Sequence, residues 1–200
     1  MMQADLVEQI RVECICKDDM SLHALATLRM TVFRSWPYLY DGSVDYEAGY
    51  LAEFLSDEAA VLVVARLGEI PVGMATASPM ATQSDAVKSP FLAAGVDVDS
   101  FFYFGESVLL PQFRGLGLGH RFFDEREAAA RKAGASSAVF CAVSRDADHP
   151  LRPESARDLT PFWHRRGYRL APRFTMNMRW KEAGQAKESE HLMRFWLKQL

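Results

Sequence analysis

Two hundred residues, 49% of them hydrophobic, suffice for one domain with a sizeable core and room for a small appendage. No run is long and apolar enough to span a bilayer, the opening MMQADLVEQI lacks a signal-peptide pattern, and three cysteines give no disulfide framework, so a cytoplasmic, reduced protein is expected. The net charge of −3 hides an asymmetry, with eleven acids against four Lys/Arg in residues 1–60 and twelve Lys/Arg against seven acids in 114–173; these arginines alternate with Asp and Glu, which argues against a nucleic-acid stripe and suits a small polyphosphate ligand.

Ile10–Lys17 alternates as a first strand. Cys14 and Cys16 fall within it, and without His or Cys nearby they read as half-buried strand residues and not as metal ligands. Asp18 or Asp19 can cap a helix carrying Leu22, Leu25, Ala26, Arg29, Val32 and Phe33, which Trp36-Pro37 stops. Four of the six tyrosines follow between Tyr38 and Tyr50, and Asp41–Glu58 holds six acids with no Lys or Arg. A second helix is expected from about Asp45 to Leu55, and its residues alone read as a solvated helix with aromatic anchors. Ala59–Arg66 and Pro71–Pro79 read as strands joined by a hairpin turn at Leu67-Gly68-Glu69. Met80–Ser100, polar and interrupted by Gly and Pro, reads as a long loop.

The stretch Phe101–Ala129 carries the chemistry. Phe101–Leu110 is apolar enough for a buried fourth strand, and Pro111 ends it. Gly115, Gly117 and Gly119 then let the backbone curl with its N–H groups inward, and helical spacing from Leu118 through Phe122, Phe123 and Arg126 runs to Ala133-Gly134. Strand, glycine turn and helix N-terminus in succession favour an anionic ligand, because free N–H groups and the helix dipole both attract it. A dinucleotide fingerprint would need a glycine where His120 stands, and a Walker loop would need Lys-Ser/Thr where His120-Arg121 stands. The segment Arg114-Gly115-Leu116-Gly117-Leu118-Gly119 resembles motif A of the GNAT acetyltransferase superfamily, [Q/R]-x-x-G-x-[G/A], and its flanks agree.

Ser137–Val143 is expected as a fifth strand, Asp146–Asp158 as a second long loop, and Leu159–Arg166 as a short helix. Phe162-Trp163-His164-Arg165-Arg166-Gly167-Tyr168 resembles the end of the family's motif B, with Trp163 where a tyrosine often protonates the departing thiolate; an indole cannot do so. Tyr168–Ala171 and Phe174–Trp180 read as the last two strands. Beyond a polar link, Leu192, Phe195, Trp196 and Leu200 stand at helical spacing. The expectation is therefore a domain over 1–184 and an amphipathic helix over 185–200 that covers its own domain or a second subunit, the latter giving a homodimer.

The resemblance implies an α/β GNAT fold: a mixed, mostly antiparallel sheet of about seven strands flanked by helices. It implies acetyl-CoA as co-substrate and no metal. Pyrophosphate would sit on the N–H groups of Arg114–His120, the pantetheine arm beside Val108, Leu109 and Leu110, and the thioester carbonyl against a strand N–H near Val108. Trp36, Tyr38 and Tyr40 would border an amine acceptor, a small molecule in preference to a protein. An amine has to lose a proton before it attacks. Glu106, the only charged residue in the fourth strand, is the leading base, since a charge in so apolar a run must be paired or functional; the alternative is a glutamate on a partly solvated face or bulge. Ser144, Tyr168 or a water would replace the missing acid; His120, His149 and His164 are weaker candidates for proton transfer. Two other readings are kept: an acyl-CoA-binding module without catalysis, and an acyltransferase for longer chains.

Overall fold

A computed structural model describes residues 7–15 and 20–200. Seven strands form one sheet in the order β1-β2-β3-β4-β5-β7-β6. The strands are β1 (Ile10–Ile15), β2 (Val61–Leu67), β3 (Ile70–Pro79), β4 (Phe101–Leu109), β5 (Ser137–Val143), β6 (Arg169–Lys181) and β7 (Glu188–Gln199). Every neighbouring pair is antiparallel except β4–β5, which runs parallel.

Among the described residues the two faces are covered by the α-helices α1 (Leu22–Phe33), α2 (Val44–Phe54), α3 (Asp85–Ala93), α4 (Leu118–Lys132) and α5 (Thr160–Arg165). Period-two alternation sorts the core into two layers. Leu62, Val64, Met74 and Val108 pack under Leu25 and Leu28 of α1 and Leu51 of α2. Val139, Cys141 and Phe195 face α3 on that same side. On the other side Val63, Ala65, Val72 and Ala75 meet Leu118 and Phe122 of α4, while Ala138, Phe140 and Trp196 meet Phe123 of α4 and Phe162 and Trp163 of α5. The α4 helix closes as its sequence predicts: Gly134 takes φ +81°, and the Ala135 N–H reaches back to the Ala130 carbonyl at 3.0 Å.

Four expectations are corrected. The cap of α1 is Ser21, whose Oγ accepts from the Ala24 N–H at 3.4 Å; Asp18 and Asp19 lie outside the described residues, as do Cys16 and Lys17. The Met80–Ser100 stretch contains α3 despite Pro90, because burial of Val87 and Phe91 outweighs one lost backbone bond. Phe91 stacks on Phe174 at 4.1 Å and meets Phe195 edge-on at 5.0 Å. The two strands expected over Tyr168–Ala171 and Phe174–Trp180 are one, β6, with an irregularity between Leu170 and Thr175.

The expected tail helix over 185–200 is the fourth correction, because its residues form strand β7. Its apolar residues fit period two as well: His191, Met193 and Phe195 are buried on one face. A strand here pairs with β5 from Ser137↔Gln199 to Val143↔Met193 and with β6 on its other side, so β7 satisfies two backbone edges that a helix would leave bare. The C-terminal segment is thus an inner strand of the sheet and no appendage.

Candidate active site

The parallel pairing of β4 and β5 is short, running from Phe101↔Ser137 to Tyr103↔Val139. Beyond it β4 continues to Leu109 paired with β3 alone, and β5 continues to Val143 paired with β7 alone. Two strand edges therefore diverge with free backbone groups facing each other, at the carboxyl ends of parallel strands, where open α/β sheets bind ligands.

A bulge sits at the mouth of this wedge. Ala75 pairs with Ser107 but Ala77 pairs with Phe104, so Gly105 and Glu106 together oppose Thr76. The extra residue reverses the alternation of β4: Phe102 and Phe104 lie on the α4 face, as does Leu109, while Val108 lies beneath α1. Regular alternation would point Glu106 at α4. The bulge turns it to the α1 face, and the Thr76 Oγ1 accepts from the Glu106 N–H at 3.1 Å. Glycine is required at 105, since a Cβ there would lie 2.5 Å from that hydroxyl.

On the α1 face Glu106 Oε1 accepts from Arg29 Nη1. Arg29 Nε also donates to Glu47 Oε2 at 2.6 Å, and the Tyr40 hydroxyl donates to Glu47 Oε1 at 2.7 Å. Burial alone would lower the Arg29 guanidinium, but Glu106, with Tyr50 and Glu47, outweighs it and the net shift is upward. The Tyr50 ring lies 4.6 Å from the Arg29 guanidinium carbon. Arg29 and Glu47 were missed as site residues, although a charge within the apolar stripe Leu22–Phe33 was the available signal.

The glycine turn leads from β4 into α4. Gly115 and Gly117 have φ of +82° and +80°, and a Cβ at either would meet nothing within 4 Å. Among the described residues no hydrogen bond is donated by the N–H groups of Gly115–Gly119, whereas those of His120 and Arg121 return to the Gly117 carbonyl. The Arg114 Nε donates to the Leu109 carbonyl at 3.1 Å, fixing the turn to the end of β4. Burial, and secondarily the neighbouring Arg157, lowers the Arg114 guanidinium. Leu116 and Leu118 anchor the turn in the core, and the His120 ring rests edge-on against Phe162 at 4.9 Å. Free N–H groups, space in front of two glycines and nearby arginines fit a pyrophosphate.

Tyr38 and Tyr40 lie on the α1–α2 side with Glu106, and Trp36 follows the end of α1. Tyr38 packs against Phe33 at 4.8 Å and Trp180 at 5.9 Å, Tyr40 joins Glu106 through Glu47 and Arg29, and Trp36 lies 5.1 Å from the His149 ring. The segment is fixed to distant parts of the chain just past β5 and β6: Arg145 donates to the Pro37 carbonyl at 2.7 Å and the Tyr38 carbonyl at 3.0 Å, and Tyr40 bridges to Glu182.

Two expectations about the site change. Tyr168 is fully buried beneath α4, with Phe123 at 5.1 Å, and its hydroxyl donates to Glu127 Oε1 at 3.3 Å. Burial, with Glu127, raises its phenol further above the ordinary range, so Tyr168 is withdrawn as an acid at the wedge. Trp163 belongs to the same aromatic cluster, 4.9 Å from Trp196, while Ser144, just past β5, is partly exposed. The second change concerns Val108. The Leu110 N–H donates to the Val72 carbonyl at 3.0 Å, so by antiparallel alternation Val108 also faces β3, and the N–H groups turned to the wedge are those of Ser107 and Leu109.

Fold, wedge and glycine turn define an acetyltransferase architecture, and sequence comparison agrees. The model of the acetyltransferase (GNAT) family matches residues 23–153, and the chain belongs to that family. No curated protein matches the sequence. Among solved structures, an acetyltransferase from Streptococcus agalactiae is 14% identical with a TM-score of 0.62, over 96% of this chain and 99% of that one. A putative acetyltransferase from Salmonella typhimurium, solved with its cofactor acetyl-CoA, is 13% identical with a TM-score of 0.61, over 96% and 94%. A ribosomal-protein-alanine N-acetyltransferase from Brucella melitensis is 14% identical with a TM-score of 0.61, over 95% and 99%. At these identities the likeness is one of fold.

Proposed function

We propose that this protein transfers an acetyl group from acetyl-CoA directly to a primary amine of a small molecule. The observation that carries the reading is the convergence of three features at one end of the sheet. These are the open β4 edge, the glycine turn that follows it, and Glu106 turned by the bulge toward the tyrosine-bearing segment. The likeness in fold to a neighbour holding acetyl-CoA supports the same coenzyme here.

Acetyl-CoA supplies an activated acetyl group whose carbonyl needs a hydrogen-bond donor as negative charge grows on oxygen. The N–H groups of Ser107 and Leu109 stand on the edge where that oxygen would lie. Glu106 Oε1 is held by Arg29, while Oε2 accepts no hydrogen bond among the described residues and is the atom that receives the amine proton. The amine nitrogen bonds to the acyl carbon, the carbon–sulfur bond breaks, and the thiolate takes a proton from water, with Ser144 the remaining candidate among side chains.

Acetyl-CoA with a panel of amines, assayed for free thiol, tests the reading. Wild-type protein should bind acetyl-CoA by calorimetry and release thiol with at least one amine, and Glu106→Gln should lower turnover while keeping acetyl-CoA affinity. Undetectable acetyl-CoA binding would overturn the proposal. Binding without transfer to any amine would favour a coenzyme A-binding module, a reading supported by the ion pair that occupies Glu106 and the absence of a phenol at Trp163.

A further inference from the structure

Arg126 is 1% exposed, and no carboxylate lies within ion-pair distance of it among the described residues. A lone buried cation is expensive, so its surroundings should account for it. Its Nε donates to the Phe122 carbonyl one turn back at 3.1 Å, and its Nη2 to Ser107 Oγ at 2.8 Å. The Nη1 donates to two carbonyls at once, those of Thr76 and Glu106, both at 3.3 Å. The guanidinium carbon lies 4.5 Å from the Phe104 ring centre and 4.9 Å from that of Phe123. Burial lowers the guanidinium to about 10, which still leaves it charged at neutral pH.

The two carbonyls belong to the bulge. In a regular ladder the Thr76 and Glu106 oxygens would each meet an N–H, but the extra residue on β4 brings them to one point. A neutral amide could satisfy both, so the positive charge calls for a further reason. The Glu106 carbonyl and the Ser107 N–H belong to one trans peptide and point in opposite directions. Since that oxygen turns inward to Arg126, the N–H turns outward to the wedge, as the pairing register requires, and Ser107 as a whole residue is exposed. A charged donor on the oxygen of a peptide draws electron density from its N–H and makes it a stronger donor.

The geometry points to Arg126 as a positioning residue that locks the Glu106–Ser107 peptide across the bulge and strengthens the Ser107 N–H as the donor to the acyl oxygen. This rests on the proposed binding of acetyl-CoA along β4. The charge is preorganised, sits in a site walled by aromatic rings, and acts on the oxygen that gains charge as the amine adds.

The test uses the full chain and acetyl-CoA labelled with carbon-13 at the thioester carbonyl, so no acceptor is needed. Isotope-edited infrared spectra should place the wild-type bound carbonyl stretch below that of free acetyl-CoA. Arg126→Gln, which keeps a donor and removes the charge, should bind acetyl-CoA with wild-type affinity and lose most of that displacement; Arg126→Lys should keep more of it. Failure of the wild type to bind acetyl-CoA overturns the proposed function along with this inference. A folded Arg126→Gln with the wild-type stretch overturns the role of Arg126 alone, and so does joint loss of affinity and displacement, which marks a purely structural residue. If neither variant folds, wild-type amide resonances decide. The Ser107 amide proton should lie downfield of that of Leu109 without ligand and move further when acetyl-CoA binds; an amide that does neither overturns the inference.

Discussion

Replacing Gly105 with alanine tests the bulge at its tightest point. The new methyl would sit 2.5 Å from Thr76 Oγ1, so the threonine must move away from the Glu106 N–H that it serves at 3.1 Å. Overpacking a dense site costs about 1–3 kcal/mol, and the lost hydrogen bond about 1 kcal/mol more. Urea denaturation should therefore show Gly105→Ala less stable by roughly 2–4 kcal/mol. The background identifies the cause. In Thr76→Ala the offending atom is gone, and the alanine at 105 should cost little beyond the threonine change. In Thr76→Val a methyl stands where the hydroxyl was, so the steric cost should remain although the hydrogen bond is already gone. The two backgrounds should differ by a coupling of about 1 kcal/mol or more. A Gly105→Ala protein within about 0.5 kcal/mol of wild type, or equal costs in both backgrounds, would refute the steric account of the bulge.

Gly117→Val puts a branched residue at φ +80°, where no neighbour interferes but the backbone is strained; the folded variant should lose acetyl-CoA binding in calorimetry, and unchanged affinity would remove the glycine turn from the site. His191 stacks on Trp180 at 3.7 Å, and burial, with Arg145, lowers its imidazole below the usual 6.5. A depressed histidine resists protonation in the folded state, so its contribution is full above pH 6.5 and is lost as pH falls toward the folded value. Denaturation at pH 7.5 and 5.5 should show a larger acid loss for wild type than for His191→Phe, which keeps an aromatic ring against Trp180; equal losses would exclude His191 as a source. Truncation after Trp180 removes β7 and should abolish cooperative unfolding by circular dichroism, whereas a folded soluble product would contradict the inner position of that strand.

The strand–glycine–helix succession was legible because its signals are local: an apolar run, a proline stop, three alternate glycines and helical spacing from Leu118. Glu106 was also legible as the one charge in that run, but its direction was not, because a bulge depends on Thr76 in the neighbouring strand. The Leu192–Leu200 pattern admits period two and period 3.6, and only the vacant positions beside β5 and β6 decide between them. Pro90 marked a break that the burial of Phe91 overrode. Tyr168 holds the motif's terminal aromatic position and not that of its tyrosine, and its ring packs in the core with Phe104, Phe123 and Phe140. Arg29 and Arg126 each sit at the fourth position after an apolar residue of their helix, Leu25 and Phe122. Such a placement puts a charge beside the apolar stripe of its helix, and leaves its partner on a distant strand unnamed.

The order of strands also bears on how the chain is made. β5 leaves the ribosome long before its antiparallel neighbour, because residues 188–199 must be translated before β7 exists. At ordinary elongation rates that interval is on the order of several seconds. Throughout it the segment Ala138–Val143 presents an apolar edge with only three residue pairs to β4 behind it, the kind of edge that recruits strands from other chains. The β6–β7 pairing is local in sequence, so the sheet is completed when these two strands dock together onto β5. Slow translation or a stall between Gly167 and Gly184 would prolong that exposure, so aggregation of the nascent chain should depend more on synthesis speed there than on the stability of the finished protein.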